Sequence, residues 1–133
     1  MESRGLPKLT IRATPAPNLT MEQLMNNKSS SHYADASKHV GGLLFLCRGT
    51  RGSISFVINL LGRFVADWTT TCDMILEHLF GYIWGSLDIT LSNYVDRRDR
   101  DLMNLSILVD SDHGGCPRTA RSTSGGIAIL NGP

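Results

Sequence analysis

Between residues 33 and 86 the apolar positions of this chain recur at intervals of three and four; beyond residue 86 they alternate. After the turn Arg48-Gly49-Thr50-Arg51-Gly52, Ser53 is placed to cap a helix whose apolar face is Ile54, Val57, Ile58, Leu61, Phe64 and Val65. A second face follows Thr69-Thr70-Thr71, where Ile75, Leu76, Leu79, Phe80 and Ile83 again fall at helical spacing. Gly85 then stands where a left-handed C-terminal cap is favoured. Upstream of both, the dense run Val40, Leu43, Leu44, Leu46 and Cys47 predicts a short buried helix, with Gly41-Gly42 leaving room for another backbone to approach.

Past Gly85, Leu87-Ile89-Leu91 and Leu105-Ile107-Val109 alternate as strands do, on either side of the charged stretch Asp96-Arg97-Arg98-Asp99-Arg100-Asp101. A connection through Gly114-Gly115-Cys116-Pro117 leads to Ile127, Ala128, Ile129 and Leu130, a β-prone run placed to fold back as a hairpin. At the other end, Pro7, Pro15 and Pro17 block regular structure, and only Leu19-Met21-Leu24-Met25 suggests one short helical turn. The reading is α+β in four segments: an extended irregular arm over 1–32, a helical segment over 33–86, a strand and charged linker over 87–103, and a β segment over 104–133.

Charge changes this picture little. Lys and Arg total 13 against 12 Asp and Glu, a net +1, so a strongly basic nucleic-acid binder is excluded and any such contact has to come from local clusters. The signs in Asp96–Asp101 alternate and cancel, which reads as a solvated linker. Three cysteines without paired spacing, and no apolar run of leader length after Met1, predict an intracellular, cytoplasmic or nuclear protein that is not secreted and has no disulfides. On that expectation the sequons at Asn18, Asn27 and Asn104 carry no weight. No apolar stretch reaches the roughly 20 residues of a bilayer span, so no membrane association is expected.

The chemistry concentrates in Val109-Asp110-Ser111-Asp112-His113-Gly114-Gly115, followed by Arg121-Ser122-Thr123-Ser124-Gly125. An Asp at the end of an apolar strand beside a glycine-rich turn is well placed to bind a metal: the strand fixes the carboxylate and the glycines admit a phosphate backbone. A lone strand-end Asp is, however, more often a turn cap. Asp110, Asp112, His113 and Cys116 superficially suggest zinc, but four ligands on one tight hairpin without a Cys-x-x-Cys pair is poor spacing. Tyr94-Val95-Asp96-Arg97 imitates the Tyr-x-Asp-Asp of a polymerase, yet Arg97 takes the second carboxylate's place and would repel the metal.

Asp110-x-Asp112 with its glycines, then Arg121-Ser122-Thr123-Ser124-Gly125, resembles the opening of the RNase H domain of copia-type LTR retrotransposon Pol polyproteins. Upstream motifs resemble the same family in order. They are Thr14-Pro15; Tyr33 through Leu46 with Val40, Gly41, Leu43 and Leu46; Thr50-Arg51; Asn59-Leu60-Leu61-x-Arg63-Phe64; and Tyr82-Ile83-Trp84-Gly85-Ser86. The sequence departs from the family with His113 for Trp, Cys116 for an acid, Gly52-Ser53 for Pro-Asp and Cys72-Asp73 for His-Trp.

The resemblance implies a thumb-like helical piece at the end of a reverse transcriptase, running into the first strands of an RNase H fold. It implies Asp110 as one of four acids that hold two Mg2+ in the intact domain, with Arg51, Arg63, Arg118 and Arg121 as candidate contacts to a template-primer duplex or RNA–DNA hybrid. The other nuclease acids of the family lie on a later helix and strand, so this stretch is expected to be a Pol fragment, inactive alone and without tightly bound metal, whose partners are the rest of the polyprotein. Two alternatives stand beside it: a host-retained binding module that contacts protein or RNA–DNA duplex, and a small metal-dependent enzyme centred on Asp110, Asp112 and His113.

Overall fold

A computed structural model describes residues 9–25, 28–89, 91–92, 97, 103–116 and 119–131. It divides into two compact units, 1–91 and 92–133. The first holds four helices: α1 (Met21–Leu24), α2 (Tyr33–Gly49), α3 (Ser55–Arg63) and α4 (Thr70–Gly85). The second holds an antiparallel hairpin of β1 (Asn104–Asp112) and β2 (Thr123–Asn131), so the chain is mixed helix and strand with an irregular N-terminal stretch.

The helical faces read from spacing are the faces that pack. Ile54, Val57, Ile58 and Leu61 are fully buried, with Phe64 beside them, and Ile75, Leu76 and Leu79 meet them from α4. Ala36, Val40 and Leu43 of α2 and the indole of Trp68 complete one core. Burying each of these larger side chains is worth roughly 1.5–3 kcal/mol, which is why these helices hold together although α3 is only nine residues long.

Several local expectations are corrected. The helix expected around Val40–Cys47 is neither short nor buried all round: α2 has 17 residues, and Leu44 and Phe45 face outward. Gly41 and Gly42 meet no other atoms where a Cβ would stand, so no described backbone uses the room they leave. Ser53 does not cap α3, because the chain enters that helix through a 3-10 turn, Gly52–Ile54, and Ile54 takes the capping position. Gly85 is not a left-handed cap: it is the last residue of α4, and Ser86 follows with its N–H on the Ile83 carbonyl. The strand expected at Leu87-Ile89-Leu91 is absent among the described residues; Ile89 N–H bonds back to the Ser86 carbonyl in a turn. Thr69, not expected as a cap, caps α4, its hydroxyl accepting from the Cys72 N–H.

The N-terminal stretch is irregular but not loose, because it is laid antiparallel along α4. Arg12 N–H bonds the Gly81 carbonyl at 3.4 Å, and His78 Nε2 stands 2.9 Å from the Thr14 carbonyl oxygen. Thr71 Oγ1 then donates to the Gln23 carbonyl at 2.9 Å. Gly81 is needed for this approach: a Cβ there would run into the Thr10 carbonyl oxygen. The expected single helical turn is α1, which Thr20 and Gln23 close as a capping box. Ser29 then pairs with Thr69 as an isolated bridge, joining the start of α2 to the start of α4.

In the second unit nine residue pairs are in register, from Asn104 opposite Asn131 to Asp112 opposite Thr123. Period-two alternation places Leu105, Ile107 and Val109 on one face and Ser106, Leu108, Asp110 and Asp112 on the other. Every residue of β1 is exposed. The connecting turn is shaped by Gly114 at φ 69°, where a side chain would be strained, and by Ala120 at φ 50°.

Candidate functional site

The hairpin positions the carboxylate singled out from sequence. Asp110 lies in β1 opposite Gly125, exposed, and its Oδ1 accepts the Ser111 N–H at 2.8 Å. Asp112, two residues on, shares its face, and Gly115 leaves room for the Asp112 carboxylate. The structure does not draw the superficial zinc set together: Cys116 is buried while Asp110, Asp112 and His113 are exposed. No group of three or more His, Cys, Asp or Glu able to hold a metal occurs among the described residues.

The candidate arginines separate. Arg63 is exposed in the last turn of α3, and Arg121 is exposed ahead of β2, its carbonyl accepting the Cys116 N–H. Arg118 and most of the Asp96–Asp101 stretch, with residues 94–96 of the polymerase-like motif, lie outside the described residues. Arg51 is turned inward. It is 7% exposed and donates to the Ser86 carbonyl at 2.6 Å and Ser86 Oγ at 2.5 Å, with its guanidinium 5.6 Å from the Tyr82 ring centre. There it satisfies carbonyls at the negative end of α4, although among the described residues its Nε finds no partner.

A second group of polar side chains went unseen in the sequence. Asp73, in the first turn of α4, accepts from Trp68 Nε1 at 2.8 Å and from Ser30 Oγ, and lies 3.4 Å from His32 Nδ1. Burial opposes its charge, but the hydrogen bonds from Ser30, Trp68 and His32, with the His32 charge, outweigh it and hold the carboxyl below its ordinary 3.8. Serine, histidine and aspartate meet here without the order of a catalytic triad: Ser30 donates to the aspartate itself and is buried, so no imidazole stands between them as base. The one hint in the sequence was an acid in the first turn after a capping threonine; its donor Ser30 lies 43 residues away.

Beside this group is a cavity of about 480 Å³ between α2 and α4. Its apolar wall includes Trp68, Leu76 and Phe80, and His39 meets the Phe80 ring edge-on at 6.1 Å between centres. Asp35, Asp73 and Glu77 supply its acids.

Among known proteins, the chain is 29% identical over 133 residues to an Arabidopsis thaliana protein named uncharacterized mitochondrial protein AtMg00810. The match covers 98% of this chain and 52% of that protein, so the chain spans about half the length of the curated relative it matches. No family model matches. No solved structure matches either. No described helix is long and apolar enough to cross a membrane.

Proposed function

We propose that this chain is a segment of a copia-type retrotransposon Pol polyprotein, carrying thumb-like helices of the reverse transcriptase and the opening hairpin of its RNase H domain. The observation that carries the reading is Asp110 in β1 opposite Gly125 of β2, both in their motifs and in register, after a helical unit built from the upstream motifs. The collinear relative, matched along nearly the whole chain, is consistent with one continuous ancestral segment.

A two-metal nuclease needs several carboxylates converging within a few ångströms of the scissile phosphate. Asp110 supplies one such carboxylate, and Asp112 stands beside it on the same strand face as a neighbour of the set rather than a member. They do not by themselves fit two Mg2+, so hydrolysis is not assigned to this chain alone. Of the four arginines, Arg63 and Arg121 suit backbone contact by exposure; Arg51 is occupied with the end of α4, and Arg118 remains a candidate from sequence only.

The test is the DNA on either side of the coding region. A frame encoding Tyr-x-Asp-Asp upstream and further acids on a helix and strand downstream is expected, and unrelated flanks on both sides would sink the reading. A protein extended through those acids should cleave RNA–DNA hybrid with Mg2+, and Asp110→Asn should abolish the cleavage.

The exposed apolar residues of the hairpin, Val109 at 81% and Ile107 at 65%, favour a second reading as a host-retained binding module. It would show as salt-sensitive binding of this chain to hybrid duplex, with a shallower salt slope in Arg63→Ala. Binding neither duplex nor protein would end it.

A further inference from the structure

None of the described candidate arginines lines the cavity between α2 and α4, and acids outnumber the other titratable groups of its lining. At about 480 Å³ it falls within the roughly 300–1,000 Å³ typical of small-molecule sites. Its walls are apolar and aromatic, contributed by Leu9, Ala36, Trp68, Leu76 and Phe80. Its titratable members are three acids from two helices, Asp35 on α2 and Asp73 and Glu77 one turn apart on α4, with the imidazoles of His32 and His39, and no Lys or Arg is among the described residues that line it.

The three acids are not equivalent. Asp73 is a fixed charge, with one oxygen held by Trp68 and the other by Ser30 and His32. The Asp35 and Glu77 carboxylates, by contrast, have neither a hydrogen bond nor an ion pair among the described residues. Two uncommitted carboxylates at the edge of an aromatic-walled cavity attract a cation that also has apolar surface to bury. An anion meets three acids, with His32 already committed to Asp73, and a bare divalent ion lacks a set of three ligands at bonding distance among the described residues.

We propose that this cavity binds a small organic cation, a free amine carried on an apolar body, with the ammonium between Asp35 and Glu77 and the body against Trp68 and Phe80. The body contributes area without direction, whereas the ammonium contributes selectivity because its charge pairs with two exposed carboxylates at the cavity rim, a pairing that a neutral hydroxyl cannot match.

The experiment titrates the full chain with phenethylamine and with its neutral counterpart phenethyl alcohol, following the Trp68 indole N–H resonance, assigned with Trp84→Phe. Saturable shifts are expected, with the amine binding about tenfold tighter than the alcohol. Glu77→Gln and Asp35→Asn alter exposed side chains outside the core, and each should remove most of that preference while leaving the amide spectrum folded. Glu22→Gln, an exposed acid outside the cavity, should leave it unchanged. Equal affinity for amine and alcohol, comparable binding of phenylacetate, or no saturable shift would overturn the proposal. Tighter binding of a lysine-bearing peptide than of the free amine would overturn the assignment to a small molecule.

Discussion

Three donors converge on the Asp73 carboxylate, and together they tie its charge to the folded state. Its pKa lies below the ordinary 3.8, so its contribution is complete above that value and is lost as the pH falls through the lower, folded pKa. In urea denaturation at neutral pH, Asp73→Asn should lower stability by about 1–3 kcal/mol, since hydrogen bonds to a charged acceptor are lost. The gap between wild type and variant should narrow below about pH 4. A gap that stays constant into strong acid would show that the carboxylate's charge is not what these donors stabilise. Of this constellation only the start of the helix after Thr69-Thr70-Thr71 was legible beforehand, because a helix and the residues that open it are neighbours in sequence. Ser30 and His32 reach Asp73 through the fold, and no spacing rule connects residues 43 apart. Arg51 was likewise visible as a cation but not as an internal one, since its partners Ser86 and Ile89 come 35 and 38 residues later.

Helices α3 and α4 were readable because each hides one continuous apolar face, and the hairpin because two alternating runs flank a glycine-rich turn. Helix α2 extended beyond its forecast: its opening six residues, Tyr33–Lys38, carry no large aliphatic side chain, so periodicity could not see them although the helix begins there. Leu87-Ile89-Leu91 failed as a strand because alternation is only half of what a strand needs: no described strand pairs with it, and Ile89 instead bonds back to the Ser86 carbonyl and accepts from Arg51. Glycines within helices separate two effects. Gly41→Ala places a methyl in open space and should stabilise by about 0.5–1 kcal/mol through helix propensity. Gly81→Ala gains the same propensity but strikes the Thr10 carbonyl, so it should destabilise instead and speed proteolysis near Arg12. Equal melting shifts for the two variants would show that the docked N-terminal stretch adds nothing to α4.

The two units bury apolar surface very unequally. The first has a core of fully buried side chains around Trp68, Leu61 and Leu79, whereas β1 is exposed along its whole length. A two-stranded hairpin with open faces and edges is marginal by itself. Amide exchange should therefore be much slower in α3 and α4 than in β1 and β2, and matched protection in both would mean that the chain unfolds as one cooperative block. The antiparallel seating of residues 10–25 and 28–30 along α4 and beside its start also sets an order in time. Thr14 waits for His78 and Ser29 for Thr69, so the stretch made early cannot settle until a helix made 40 to 64 residues later exists. Helices α2 and α3 meet over short loops and can form first, leaving closure of this clasp as a late event. Weakening it with Ser30→Ala should steepen escape from the native state and leave the refolding rate nearly unchanged, the chevron shifting on its unfolding arm alone. A slowed refolding arm would place the clasp inside the nucleus instead.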